Sequence, residues 1–267
     1  MFLNNLNNLF INSPLEQFEV VSLASYNSPL LFNSSFSITN SALFTVLVLS
    51  LILFIHQNSG KDKTNLNFNK KMKLIPNKES ILLESLFASI NTIVRDQIGR
   101  EVYLPFIYSL FLFILCSNLV GNIPYTFTIT TSIIVSIGLS FTILIGVTIL
   151  GLSIHKIHFF SFFIPSGTPL ALVPLLVLIE LISYLARAFS LGIRLFANMV
   201  AGHTLLKILS TFLFKMFSGG LIIFVLTLLP FALFLAITGL ELAVSFIQAY
   251  VFVLLVCSYI KDAIELH

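Results

Sequence analysis

Six charged side chains interrupt otherwise apolar sequence in the C-terminal half: Glu180, Arg187, Arg194, Lys207 and Lys215 along a first run, and Glu241 in a second. At 100° per residue, Glu180, Ser183, Arg187, Ser190, Arg194, Ala197, Asn198 and Ala201 fall within about 100° of arc. Leu185, Phe189, Phe196 and Val200 occupy the opposite side. A stripe of charged, polar and small groups on an apolar helix is a surface made for a close protein neighbour or for water. Internal charge pairing is the plainer reading, yet Glu180 and Glu241 are the acids within these runs and four cations face them. At least one cation is therefore expected to lack a partner within the chain. Arginine stays ionised, and holding it at membrane depth costs from about 3 to more than 10 kcal/mol, so an anionic partner must come from another molecule.

The second run carries its own narrow stripe, Thr238, Glu241, Ser245 and Gln248. His203 lies about 180° around the first helix from Arg194. A hairpin of the two runs could bring His203 and Glu241 together on the side away from Arg194. His155 and His158 are three apart but have no carboxylate or thiolate beside them, so they read as loop residues and no metal is expected. Cys116 and Cys257 sit in apolar runs and read as small hydrophobes. No phosphate-binding glycine loop and no nucleophile motif occurs, so the chain is expected not to bind nucleotide or to be an enzyme by itself.

These residues must be positioned by helices in lipid. Of 267 residues, 57% are hydrophobic and only 9% charged, with 28 phenylalanines, which is more apolar surface than one soluble core can bury. The expected fold is an all-α membrane protein. Residues 1–37 form an uncharged beginning and an outer segment, compatible with a short removable leader over 1–12. Residues 38–56 make a first transmembrane helix. Residues 57–102 hold a basic loop, with Lys61, Lys63, Lys70, Lys71, Lys73 and Lys78 against Asp62, and then an amphipathic helix from about Ser80 to Ile98 that suits a membrane surface. Two further spans fill 103–154, separated by Gly121-Asn122-Ile123-Pro124, and Gly138, Thr142 and Gly146 form a small-residue ladder inviting a close neighbour. Residues 155–168 return to the side of the lysines, the matrix or cytoplasm, and leave the N-terminus outside.

Residues 169–267 hold the long hairpin. From Pro169 to about Phe214 a continuous helix would be about 67 Å long, and from Leu221 to about Ile260 about 60 Å, with Ser218-Gly219-Gly220 between them. Both exceed a bilayer, so two steeply tilted helices are preferred over four short ones because the polar pattern stays in phase.

The run LIELISYLARAFSLGIRLFANMVAGHTLL, followed by GLELAVSFIQAYVFVLLVCSYIKDAI and preceded near the start by SPLEQFEV, resembles the a subunits of mitochondrial F-type ATP synthases, most closely the fungal kind. The resemblance covers nearly the whole chain after Ser13 and implies a multi-pass protein of the mitochondrial inner membrane. It implies that Arg194 faces the carboxylate of each passing c-ring subunit and separates two half-channels. Glu180 and Asp262 would belong to the matrix half-channel, and His203 and Glu241 to the half-channel from the intermembrane space. Asn198, Gln248, Arg187 and Ser245 would support the polar stripe. Implied partners are the c-ring, a peripheral-stalk b-type subunit, other small membrane subunits of the Fo sector and the lipid bilayer. No nucleic acid, nucleotide or cofactor is expected. Along one helix, Glu180 and His203 would lie about 21 Å and 14 Å to either side of Arg194. A secondary transporter or a respiratory proton pump would also place Arg, Glu and His at mid-membrane, but would bring an internal repeat that this chain lacks. A purely structural anchor leaves the polar stripe unexplained.

Overall fold

The computed structural model describes residues 15–28, 34–60, 78–123, 126–164, 172–217 and 221–265. The expected leader, most of the lysine loop, the Pro165–Pro169 break and the Ser218–Gly220 turn lie outside the described residues. Strands β1 (Ser22–Ser28) and β2 (Ser34–Thr39) pair antiparallel, with Ser28 opposite Ser34 and Ser22 opposite Thr39. Seven helices follow: α1 (Asn40–Gly60), α2 (Lys78–Gln97), α3 (Leu104–Gly121), α4 (Ile133–His155), α5 (Val173–Phe217), α6 (Leu221–Leu226) and α7 (Leu228–Ile264). Five helical stretches are long and apolar enough to span a bilayer: Asn40–Asn58, Glu101–Gly121, Ile133–Ser161, Val173–Phe217 and Ile223–Ile264.

Local chemistry sets the ends of these elements. The Thr39 hydroxyl accepts the Ala42 N–H at 3.3 Å and caps α1. The Asn40 amide of the first turn donates to the Glu19 carbonyl at 3.1 Å and ties the preceding segment down. At the end of α2, Gly99 takes a left-handed φ of 69°, which lets the Ile98 and Gly99 N–H groups both reach the Val94 carbonyl. Helix α5 runs unbroken for 45 residues, about 68 Å, because Pro174 sits in its first turn, where a missing N–H costs nothing. The second long run is interrupted at Thr227, a feature absent from the sequence reading. Pro230 cannot donate to Leu226 and its ring crowds that carbonyl, so the regular ladder starts afresh as α7.

The chain divides into two compact units. The first comprises residues 1–45, 117–140 and 189–248. Its core draws on Phe127 and Ile129 and on one face of α5, Leu191, Leu195 and Met199, all nearly inaccessible to solvent. Gly192 lies on the same face, where a Cβ would come within 2.6 Å of the Ser140 hydroxyl and 3.0 Å of the Ser136 carbonyl. The close helix approach is therefore at Gly192. Gly138 and Gly146, the expected ladder, have nothing within 4 Å of where a Cβ would stand.

The second unit comprises residues 46–116, 141–188 and 249–267. Ile90, Ile93 and Val94 of α2 are buried, as its amphipathic pattern requires, and Phe252, Val253, Val256 and Cys257 of α7 are fully buried. Outside these cores many large apolar side chains are open, among them Leu178, Ile182, Leu242 and Ile247, as a surface facing lipid or neighbouring subunits demands. His155, expected as a loop residue, instead ends α4 with Nε2 2.9 Å from the Ile264 carbonyl, and Lys156–Phe163 continue as a 3-10 helix.

Candidate functional site

In the first unit, α5 and α7 present their polar residues to one another at helical spacing. The imidazole Nδ1 of His203 lies 3.2 Å from Oε1 of Glu241, and these side chains are only 15% and 8% exposed. The juxtaposition expected from the hairpin is realised, and Gly202 makes it possible: a Cβ there would stand 2.8 Å from the Glu241 Oε1. One helical turn along α7, Ser245 is fully buried and donates to the Glu241 carbonyl at 2.8 Å. Gln248 is also buried, and its Oε1 accepts the Asn198 amide at 2.8 Å. Thus Asn198, His203, Glu241, Ser245 and Gln248 form one continuous polar seam.

Sequence reasoning missed the third wall of this seam. Asn118 and Asn122, four apart at the end of α3, both point to Ser245. Asn122 Nδ2 donates to its hydroxyl at 2.7 Å, and Asn118 Nδ2 reaches its carbonyl at 3.4 Å. Two asparagines at i and i+4 in an apolar helix were the available signal. Among the described residues, several buried polar atoms of the seam and its α3 wall have no hydrogen-bond partner: Asn118 Oδ1, Asn122 Oδ1, His203 Nε2 and Gln248 Nε2. Buried polar groups need partners, and water is the smallest group that can supply them.

An open cavity of about 840 Å³ adjoins the seam, with His203, Asn122, Thr238 and Lys207 among its lining residues. Phe18, from the 3-10 turn Glu16–Phe18, lines it too, with its ring centroid 6.4 Å from that of His203. Arg194 lies in the same unit on the exposed side of α5, with Ser190, Ala197 and Ala201 exposed along the same stripe. No hydrogen bond or ion pair links it to any of the described residues.

The second unit gathers the other three predicted residues. Arg187 Nη1 is 3.0 Å from Oδ2 of Asp262, and its Nη2 is 3.6 Å from Oε1 of Glu180. The Tyr259 hydroxyl donates to the Arg187 carbonyl at 3.4 Å, and Tyr184, Tyr259 and Asp262 line a small adjoining pocket. The count of acids against cations is thereby refined: Asp262, beyond the apolar run, joins Glu180 in neutralising Arg187, while Glu241 faces a histidine. Of the two arginines on the stripe, Arg194 is therefore the one without an acid among the described residues.

Apolar spanning helices that carry a buried polar seam define a multi-pass membrane protein. Residues 41–261 match the family model described as ATP synthase A chain. The chain belongs to that family and serves as the a subunit of the Fo sector in a proton-translocating ATP synthase, crossing the mitochondrial inner membrane several times. It is 62% identical over 259 residues to the ATP synthase subunit a of Mycosarcoma maydis, covering 96% of this chain and 98% of that one. The subunit a of Emericella nidulans is 48% identical, over 97% of this chain and 98% of its own length. That of Marchantia polymorpha is 46% identical, over 96% and 99%.

Proposed function

We propose that the chain forms two offset aqueous half-channels that carry protons to and from the c-ring carboxylates, with Arg194 between them. The observation that carries this reading is the contrast between two arginines on one helical stripe: Arg187 meets two carboxylates, whereas Arg194 is exposed and meets none among the described residues. A charge left open on an apolar helix needs an anion from a neighbour, and a rotor carboxylate supplies one. His203 and Glu241, beside the cavity, form the half-channel from the intermembrane space. Glu180 and Asp262 form the matrix half-channel, Arg187 holds those acids in place, and Asn198, Ser245 and Gln248 support the seam.

Helix α5 carries Glu180, Arg194 and His203 in that order, so water entering near either end of this series would stop at the arginine. Arg194 neither accepts a proton nor tolerates one passing close by. Protons then cross only on the rotor carboxylate, and flow is tied to rotation. Each charge crossing 100 mV releases about 2.3 kcal/mol, so several protons must pass for each costly synthesis step. Residues 169–267 are the rotor-facing hairpin, steeply tilted, and the chain itself does no bond chemistry and binds no nucleotide. Its neighbours are the c-ring, a peripheral-stalk b-type subunit and other small Fo subunits.

Vesicles containing the intact ATP synthase test the assignment. Arg194→Lys abolishes ATP synthesis driven by an imposed proton gradient, because a desolvated lysine can lose its proton and lacks the guanidinium fork. Arg194→Ala abolishes synthesis and adds a passive proton leak. Near-normal synthesis by Arg194→Ala would show that another residue holds the central position.

A further inference from the structure

We propose that Asn122 is a positioning residue of the inlet: with Ser245 it forms a second polar branch, from the cavity into the seam, beside the one through His203. The proposal rests on the inlet reading of His203 and Glu241 and adds a branch to it. Asn122 lines the cavity and also hydrogen-bonds to the buried Ser245 hydroxyl of α7. Its Nδ2 grips the Ser245 hydroxyl at 2.7 Å, and that hydroxyl donates onward to the Glu241 carbonyl at 2.8 Å. Ser245 stands one turn from both Glu241 and Gln248, and Gln248 meets Asn198 on the Arg194 stripe. The path from cavity to stripe is therefore polar at every step: Asn122, Ser245, Gln248, Asn198.

The unpartnered atoms lie along this branch as well. Asn122 Oδ1, Asn118 Oδ1 and Gln248 Nε2 are buried without a hydrogen-bond partner among the described residues, and Asn118 and Gln248 are almost wholly inaccessible. Leaving such atoms dry is unfavourable, and residues present only for packing would serve better as apolar side chains. A row of water molecules held between α3 and α7 satisfies them and conducts a proton by hydrogen-bond exchange. Asn122 cannot itself take up a proton at ordinary pH. Its part is to hold the Ser245 hydroxyl in line and to keep the mouth of the branch wet.

The test uses intact ATP synthase in vesicles, with acid-driven ATP synthesis followed against the pH on the inlet side. Asn122→Leu slows synthesis about five-fold, the effect of one ordinary hydrogen bond, and the loss grows as the inlet pH rises and protons become scarce. Asn122→Ser, which keeps a short donor, restores most of the rate. Ser245→Ala gives a similar loss, and the double variant is no slower than the slower single one, as members of one path require. Normal rate and normal pH profile in Asn122→Leu would overturn the proposal. If that variant does not assemble, Ser245→Ala decides, since it removes one oxygen and little volume, and an unchanged profile there would overturn it. Glu241→Gln run alongside separates the two ideas: slowed Glu241→Gln with normal Asn122→Leu and Ser245→Ala rejects the branch alone, whereas normal Glu241→Gln rejects the inlet reading itself.

Discussion

Arg187 Nη1 rests 3.0 Å from Asp262 Oδ2, joining α5 to the last turn of α7 across 75 residues of chain. The same guanidinium faces Glu180 at 3.6 Å, so one cation serves two acids. All three side chains are about a third exposed, which weakens each attraction. Arg187→Ala therefore lowers ATP synthesis several-fold without abolishing it, in contrast to Arg194→Ala. Synthesis rates normalised to assembled complex measure the difference, and equal loss in both variants would remove the distinction between a paired and an open arginine.

His203 and Glu241 touch within one buried seam, so their effects should not add. Glu241→Gln slows synthesis while leaving the amount of assembled complex unchanged, because the carboxamide keeps the volume and loses the titratable proton. His203→Ala combined with Glu241→Gln falls short of the product of the single losses. Strict multiplicativity in a double-variant comparison of proton flux would place the two groups on separate paths.

Packing makes a sharper demand at Gly192 than at the glycines of the expected ladder. A methyl group at Gly192 meets the Ser136 carbonyl and Ser140, so Gly192→Ala costs roughly 1–3 kcal/mol, the usual range for overpacking. Gly138→Ala meets nothing within 4 Å and stays within about 0.5 kcal/mol. Thermal dissociation of the purified complex reports both. Loss of assembly in Gly138→Ala would instead mark that face as the seat of a neighbouring subunit's helix.

Sidedness follows from the lysines of the 57–78 segment. With Cys116 and Cys257 replaced, a single cysteine at position 65 is expected to react with an impermeant thiol reagent from the matrix side only. Labelling from the intermembrane space would invert the topology and exchange the two half-channels.

Much of this protein is legible along the chain. Apolar length locates the spanning helices, and the 3.6-residue period puts Glu180, Arg187, Arg194 and Asn198 on one stripe and Glu241, Ser245 and Gln248 on another. Counting acids against cations foretells a cation without an internal partner. The short β1–β2 ribbon was not legible, because β1 lacks a regular alternation and the brief alternation of Phe36 and Ile38 in β2 runs straight into the apolar first span. The break at Thr227 has its sequence signal in Pro230, three residues on.

Only the tertiary structure decided which stripe residue meets which. Periodicity fixes the angle of a side chain about its own helix, but a contact between helices also depends on axial offset and mutual rotation, which are set by close packing at positions such as Gly192 and Gly202. That is why Asp262, outside the apolar run, reaches Arg187. The same packing gives Ser245 the paired amides of Asn118 and Asn122, and Glu241 an imidazole rather than a cationic side chain. The sequence determined that at least one cation would be left over, because charge balance is a sum along the chain. That Arg194 rather than Arg187 stands open depended on where the acids came to lie in space.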